Sequence, residues 1–189
     1  QVAAALGMRE IASETTYSRT VFVDLRRSEA DLLGSFQGQL RRDITNSTRD
    51  GSVVRELSAS FAPRIDELHR ETMARTGGDF HAMDWRRNIE FSQRHPDRSR
   101  INGLFLGGGD APQDLVAVQW FVREGDIIRD VFGASTRRNS KPVMHAVIWD
   151  QLRWGQRIGA ASFDFGGVPA RAERVGDALD KIADFKRKF

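Results

Sequence analysis

The chain of 189 residues contains no cysteine. This absence excludes a disulfide framework, thiolate metal sites and a cysteine nucleophile, so covalent catalysis would need another side chain. The sequence also has no apolar run near the ~20 residues of a membrane-spanning helix, and no basic segment followed by an apolar one opens it. We therefore expect a cytoplasmic protein.

Lysine is scarce, and its distribution is uneven. Only four of the 29 basic residues are lysines, and three of these lie in residues 181–189, which also hold the whole formal net charge of +3. An arginine-rich chain that ends in a cluster of Lys and Phe fits a polyanionic partner such as phosphate or RNA. A solvated helix face explains the same composition equally well.

The composition, with 40% hydrophobic and 29% charged residues, is that of a globular protein of one domain or one and a half. The four histidines have no pair at the helical spacing that a metal site needs, so we predict no metal. The triple glycine at 107–109 follows a predicted strand but precedes no helix, and it therefore indicates a flexible turn rather than a phosphate loop.

Hydrophobic patterning predicts an α+β fold. The chain begins at Gln1, and residues 3–7 resemble the last turn of a helix, so we interpret residues 1–19 as the end of a preceding lobe and a linker. One helix is predicted from Ser28 to Asp50, with an apolar stripe every fourth residue. Strands are predicted at 20–25, 52–57, 102–106, 114–123, 126–133 and 161–165. Further helices are predicted at 63–75, 84–94, 143–158 and 177–186.

The polar loop after the fifth predicted strand is a candidate anion site. It carries Arg137, Arg138 and Lys141 and leads into a helix N-terminus, whose dipole favours a phosphate or carboxylate. A solvated basic loop is an equally good explanation of this segment.

Two further segments are candidate sites. Asp164, Gly166 and Gly167 end a strand and would allow close approach of a ligand to the backbone, although a structural bend explains them equally well. Near the C-terminus, Phe185 offers a stacking face for a nucleobase, and Lys186 a cation for a phosphate or a developing oxyanion. An amphipathic helix end would look the same.

Taken in order, these pieces resemble the second GNAT-like lobe of the FemABX family, the peptidoglycan bridge-forming aminoacyltransferases. The resemblance covers about residues 20–189, and its specificity lies in the ordered set of motifs. The motifs are Thr20-Val-Phe-Val-Asp-Leu25 with Ser28-Glu29, Arg41-Arg-Asp-Ile44 through Gly51-Ser-Val-Val-Arg55, Phe132-Gly-Ala-Ser135, the Trp149 helix with Gly159, Phe163-Asp-Phe-Gly-Gly-Val168, and Phe185-Lys-Arg-Lys-Phe189.

The resemblance implies a mostly antiparallel, twisted central sheet flanked by helices. Because family members continue past the Phe-Lys pair into at least one more strand, we expect the sheet to lack its last strand or strands, with residues 20–25 partly covering the gap. It also implies a preceding GNAT-like lobe, which in this family supplies much of the precursor-binding pocket. Before Phe132 the family often has tyrosines, whereas Asp130 and Val131 stand here.

The implied activity is transfer of an aminoacyl group from aminoacyl-tRNA to an amine of a peptidoglycan precursor, either UDP-MurNAc-peptide or lipid II, in the cytoplasm or at the inner face of the membrane. No cofactor and no covalent enzyme intermediate would be needed. By resemblance, Lys186 would stabilise the oxyanion and Phe185 would pack on the terminal nucleotide. Ser135, Arg137, Arg138 and Lys141 would bind the acyl donor.

Two other functions stay open. The first is acyl-CoA-dependent N-acyl transfer of the wider GNAT kind, in a protein of the cell envelope or of exopolysaccharide synthesis. Loop 135–142 counts against it, because it has no glycine and because Pro142 lacks a backbone N–H for a pyrophosphate. The second is a non-catalytic RNA-binding lobe that keeps the basic tail.

Overall fold

The computed structural model describes residues 19–137, 142–169 and 178–189. All six predicted strands are present: β1 (Arg19–Asp24), β2 (Val53–Glu56), β3 (Ser99–Phe105), β4 (Leu115–Glu124), β5 (Ile127–Ser135) and β6 (Ser162–Val168). The helices are α1 (Glu29–Ser35), α2 (Gly38–Arg49), α3 (Ala62–Thr76), α4 (Trp85–Arg94), α5 (Val143–Arg157) and α6 (Ala178–Lys186), with short 3₁₀ turns between some elements.

The strands form one six-stranded sheet in the order β1-β6-β5-β4-β3-β2. Every neighbouring pair is antiparallel except β5 and β6, which run parallel. Strand β1 pairs with β6 and forms one edge of the sheet. The architecture confirms the predicted α+β class with its mostly antiparallel sheet.

Helices cover both faces of the sheet, because each presents an apolar stripe to it. On one face, α3 and α4 pack over a cluster that includes Leu57, Ile65, Leu68, Trp85, Ile89, Ile101, Phe105 and Val118. On the other, α1, α2 and α5 pack over a cluster that includes Val23, Leu32, Leu40, Phe121, Ile148, Leu152, Phe163 and Phe165. The sheet is therefore the middle layer of three.

The single helix predicted from Ser28 to Asp50 was wrong in one respect, since the segment forms two helices. Ser28 caps α1 as expected, its Oγ accepting a hydrogen bond from the Asp31 N–H at 3.1 Å. The chain then becomes extended at Phe36 and restarts as a helix at Gly38. Gly34 and Gly38 lower helix propensity around the break, but the predicted stripe of Leu32, Phe36, Leu40 and Ile44 is buried throughout.

A buried polar network fixes α5 to the sheet. The Gln151 amide donates to Asn102 Oδ1 at 2.6 Å, and the Asn102 amide donates to Asp150 Oδ2 at 2.8 Å. Arg100 reaches the same carboxylate oxygen at 2.6 Å. This network sets the position of α5, whose N-terminal half contributes to the site described below.

Among the described residues, no helix is long and apolar enough to cross a membrane. Residues 1–18, interpreted above as part of a preceding lobe and linker, lie outside the described part, and Arg19 is the first residue of β1. That interpretation stays a prediction.

Candidate functional site

The sheet opens between its two parallel strands. Pairing of β5 with β6 is limited to three positions, from Ile127 opposite Ser162 to Arg129 opposite Asp164, although both strands continue beyond them. A cavity of about 470 Å³ lies at this opening. Its lining includes Thr72, Arg75, Gln119, Asp130, Gly133, Ser135, Arg137, Met144, Ile148, Phe165, Lys181, Phe185 and Lys186. Ligand sites often occupy such openings, because no neighbouring strand fills the space.

Lys186 brings a fixed cation into the cavity. It is the last residue of α6, and its Nζ donates a hydrogen bond to the Gly167 carbonyl at 3.1 Å. Burial lowers the pKa of the Lys186 ammonium, whereas the carboxylates of Asp130 and Asp164 oppose that shift. The β6 backbone thus holds the Lys186 ammonium at one position, and the two neighbouring carboxyl groups act against the pKa shift that burial causes.

Phe185, beside Lys186, is held by ring contacts. Its ring stacks on His145 of α5, with centroids 5.3 Å apart and planes 10° apart, and it meets Phe189 edge-on at 5.7 Å. His145 Nδ1 lies 3.0 Å from Asp43 Oδ2 of α2, and burial lowers the pKa of this histidine. Phe185 therefore lines the cavity in an orientation set by α2, α5 and the C-terminal residues.

A β-bulge in β6 places the carbonyl that holds Lys186. Thr20 of β1 opposes Gly167 and Phe22 opposes Asp164, so β6 has one residue more than β1 over this stretch. Gly166 has φ +73°, a value that glycine adopts readily, and its N–H donates to Asp164 Oδ1 at 2.8 Å. Contrary to the expectation that Gly166 and Gly167 end the strand, β6 continues through the bulge to Val168.

Asp164 is bound by protein groups around its carboxylate. The Thr20 hydroxyl and the Gly166 N–H donate to Oδ1, and Arg129 Nη1 donates to Oδ2 at 2.8 Å. Neither Asp164 nor Gly166 nor Gly167 is among the residues found to line the cavity. The structure places all three behind Lys186, and their predicted contact with a ligand stays a prediction.

The other end of the cavity is cationic. The Ser135 carbonyl accepts from Thr72 Oγ1 at 3.1 Å and from Arg75 Nη2 at 3.0 Å, which ties the end of β5 to α3. Arg137 is exposed beside them, and burial and repulsion from Arg137 lower the pKa of Arg75. Of the predicted donor-binding residues, Ser135 and Arg137 thus join Phe185 and Lys186 in one cavity. Two others, Arg138 and Lys141, lie outside the described residues.

Two residues of the site, Asp130 and Gln119, were not predicted from the sequence. The Gln119 amide donates to Asp130 Oδ1 at 2.5 Å. Burial raises the pKa of Asp130 to about 7, although Lys186 and the hydrogen bond from Gln119 act in the opposite direction. One available signal was that Gln119 interrupts an otherwise apolar run over residues 115–122.

A second bulge explains why Asp130 and Gln119 meet. Trp120 opposes Phe132 while Phe121 opposes Asp130, so Val131 is an extra residue in β5. Side chains alternate between faces along a regular strand, and an extra residue reverses the alternation beyond it. The bulge therefore turns Asp130 to the face that carries Gln119 and Phe121.

No group of three or more His, Asp or Glu side chains suited to a metal ion occurs in the described part of the chain. The described side chains instead provide a cation at Lys186, an arginine end, and a carboxyl at Asp130. These groups could bind an anionic ligand and stabilise negative charge that develops on a reacting carbonyl.

No protein-family model and no curated protein matches the sequence. Similar solved structures are known. The crystal structure of FemX has a TM-score of 0.76 with 14% identity, over 97% of this chain and 63% of that one. The structure of L-PGS from Bacillus licheniformis has a TM-score of 0.59 with 17% identity, over 90% of this chain and 55% of that one. The C-terminal domain of a putative lysylphosphatidylglycerol synthetase from Agrobacterium fabrum has a TM-score of 0.58 with 15% identity, over 89% of this chain and 55% of that one.

The chain therefore spans less than two thirds of each of these three structures. At such low identity the likeness establishes the fold, and it agrees with the fold that the sequence motifs implied. The chain has the α+β fold of these three solved structures.

Proposed function

We propose that this chain is the donor-side lobe of an aminoacyltransferase, which transfers an aminoacyl group from aminoacyl-tRNA to an amine of a peptidoglycan precursor. One observation carries the proposal: in a FemX-like fold, Lys186 is fixed on the Gly167 carbonyl inside the cavity between β5 and β6, with Phe185 beside it. These are the two residues that match the Phe-Lys pair of the FemABX family.

The proposed reaction is a direct aminolysis. The neutral acceptor amine attacks the ester carbonyl carbon, a C–N bond forms, and the C–O bond to the terminal ribose breaks. One amine proton moves to the departing ribose oxygen, so the products are an amide and a free hydroxyl. The ammonium of Lys186 stabilises the negative charge on the carbonyl oxygen while the tetrahedral centre exists.

The arginine end of the cavity suits the RNA part of the donor. Asp130 and Ser135 of β5 lie opposite Phe121 and Ala117 of β4, which are four residues apart, so they are about 13 Å apart along the strand. An ester near Lys186 would then leave the terminal nucleotides extending toward Arg75 and Arg137. Arginine side chains bind phosphate through paired N–H groups and retain their charge.

The acceptor is proposed to be UDP-MurNAc-peptide or lipid II, in the cytoplasm or at the inner face of the membrane. In the family that this chain resembles, much of the precursor pocket belongs to a preceding lobe. The shorter span relative to FemX is compatible with a single lobe of such an enzyme. We therefore expect the 189-residue chain alone to bind donor RNA weakly and to transfer poorly.

Separate titrations with aminoacyl-tRNA and acetyl-CoA test the class of donor. We expect binding of aminoacyl-tRNA that weakens with salt, as counterion release requires, and no micromolar binding of acetyl-CoA. Arg137→Gln should weaken RNA binding and flatten its salt dependence, whereas Arg26→Gln, an exposed arginine beside Asp24, should change neither. Micromolar CoA binding without tRNA binding would overturn the proposal in favour of acyl-CoA-dependent transfer.

Activity is best measured on the full natural polypeptide that contains this chain. With radiolabelled aminoacyl-tRNA and a precursor peptide, the label should appear in a peptide amide at a rate proportional to the enzyme concentration. Binding of tRNA with no transfer to any precursor amine would instead favour a non-catalytic RNA-binding lobe.

A further inference from the structure

One buried acceptor in the cavity lacks a partner. Gln119 is 2% exposed and lines the cavity, and its Oε1 makes no hydrogen bond to any described residue. Its Nε2 is already bound to Asp130. A buried amide oxygen without a partner is destabilising, so such groups are normally paired by protein or ligand.

The place of this oxygen depends on a glycine. A Cβ built on Gly133 would lie 2.6 Å from Gln119 Oε1, well inside contact distance. Gly133 is opposite Gln119 in the β4–β5 ladder and also lines the cavity. The absence of a side chain at residue 133 thus leaves room for the Gln119 amide at the cavity wall.

Asp130 adds a second acceptor next to Gln119. Only its Oδ1 receives a hydrogen bond from a described residue, and no cation among those residues lies within ion-pair distance of it. Lys186 on α6 and Asp164 on β6 are the charged groups that act on it, and Lys186 is bound instead to the Gly167 carbonyl. Gln119 and Asp130 therefore both line the cavity, and each has an oxygen that receives no hydrogen bond from a described residue.

We propose that Asp130 and Gln119 form a subsite for a primary ammonium group of the substrate. The site offers hydrogen-bond acceptors and one negative charge, and an ammonium offers donors alone and one positive charge. A carboxylate or phosphate ligand would be repelled by the Asp130 carboxylate, and a neutral hydroxyl would bring no positive charge to it.

Two substrate groups carry this chemistry, and the inference rests on the proposed aminoacyl transfer for their identity. One is the α-ammonium of the aminoacyl group, which would distinguish an aminoacyl donor from a simple acyl donor. The other is the amine of the acceptor before it loses its proton. In either case the ammonium would lie beside Lys186, close to the reacting ester.

Binding of matched probes to the chain at pH 8 tests the subsite. The first pair is an RNA microhelix ending in CCA that carries L-alanine through a stable 3′-amide, with the α-amine free or acetylated. The second pair is a short lysine-containing peptide with its side-chain amine free or acetylated. We expect at least one free-amine probe to bind about tenfold more tightly than its acetylated partner, the usual size for a charge-assisted hydrogen bond.

Asp130→Asn should reduce that ratio to near one, because it keeps the shape and removes the charge. Gln119→Met keeps the length and removes both the amide oxygen and the amide N–H that donates to Asp130. It should reduce the ratio about threefold, in line with loss of one neutral hydrogen bond to the ligand. Asp126→Asn, in the exposed β4–β5 turn, is the matched control and should leave the ratio unchanged. Circular dichroism of each variant would confirm that the fold is kept.

The pair that responds to Asp130→Asn identifies the source of the ammonium, since the RNA pair reports the donor and the peptide pair the acceptor. A ratio near one for both pairs in the native chain, or a ratio that survives Asp130→Asn, would overturn the subsite. Discrimination by the peptides without RNA binding would keep the subsite and overturn aminoacyl-tRNA as donor. The two proposals can therefore fail separately.

Discussion

Asp164 and Asp130 stand on neighbouring strands at the point where β5 and β6 stop pairing, but their surroundings differ. Asp164 is buried and bound by Thr20, Arg129 and the Gly166 N–H. Asp130 receives one hydrogen bond, from Gln119, and faces the cavity. The carboxylate on β6 supports the backbone that holds Lys186, whereas the carboxylate on β5 is available to a ligand.

The difference shows why a polar residue in a strand does not by itself identify a binding residue. Both aspartates interrupt apolar strands, and the number of protein partners around each carboxylate separates their roles. Where every oxygen is paired, the group stabilises the fold. Where oxygens remain free beside a cavity, burial instead raises the pKa, as it does at Asp130.

Loss of the cation between the two carboxylates should have the largest effect. Lys186→Met keeps the length of the side chain and removes the charge, and we expect the rate of aminoacyl transfer by the full natural polypeptide to fall by about 100- to 1,000-fold, as for loss of an oxyanion donor. Lys188→Met, two residues on and outside the cavity lining, is the control and should retain the native rate. An unchanged rate in Lys186→Met would remove its catalytic role.

The second largest effect is expected from loss of the Asp164 carboxylate, and it is an effect on stability. Asp164→Ala leaves the Gly166 N–H without its acceptor and removes one of the two carboxylates that bind Arg129, the other being Glu124. We expect the free energy of unfolding to fall by about 2–3 kcal/mol. Urea denaturation at pH 8 measures this loss. Asp130→Asn, measured alongside it, should not be destabilised, and a comparable loss at both positions would contradict the division of roles.

Much of the fold could be predicted from the sequence because its signals are local. Ser28 and Asp84 preceded helices as caps, and Gly125 marked the β4–β5 turn, where it has φ +63°. The break at Phe36 was not predicted, because apolar residues at every fourth position are compatible with one long helix or with two successive helices packed on the same core.

The sequence predicted only those site residues that belong to a recognisable motif. The motif resemblance brought out Lys186 and Phe185, which the structure brings into one cavity with Arg137 and Ser135. Asp130 was missed because its direction depends on the bulge at Val131, and a bulge leaves no periodic signal in the sequence. Two of the three partners of Asp164, Thr20 on β1 and Arg129 on β5, are distant in sequence, so its structural role could not be predicted from residues 163–167 alone.

The smallest expected effect is the pH dependence of stability that Asp130 confers. Its pKa rises from an ordinary 3.8 to about 7 in the folded chain, so the folded state holds a proton that the unfolded state releases between these values. This contribution to stability is complete below pH 4 and is lost as the pH rises to 7.

Asp130→Asn carries no such proton, so relative to the native chain it should gain stability from pH 4 to 7 and then reach a plateau. Because the cavity admits water, we expect a gain on the order of 1–2 kcal/mol rather than the full value of the shift. Urea denaturation at pH 4.5, 6 and 8 measures the difference, with Asp126→Asn as the flat control. An equal difference at all three pH values would mean that Asp130 titrates normally and is solvated like an exposed carboxylate.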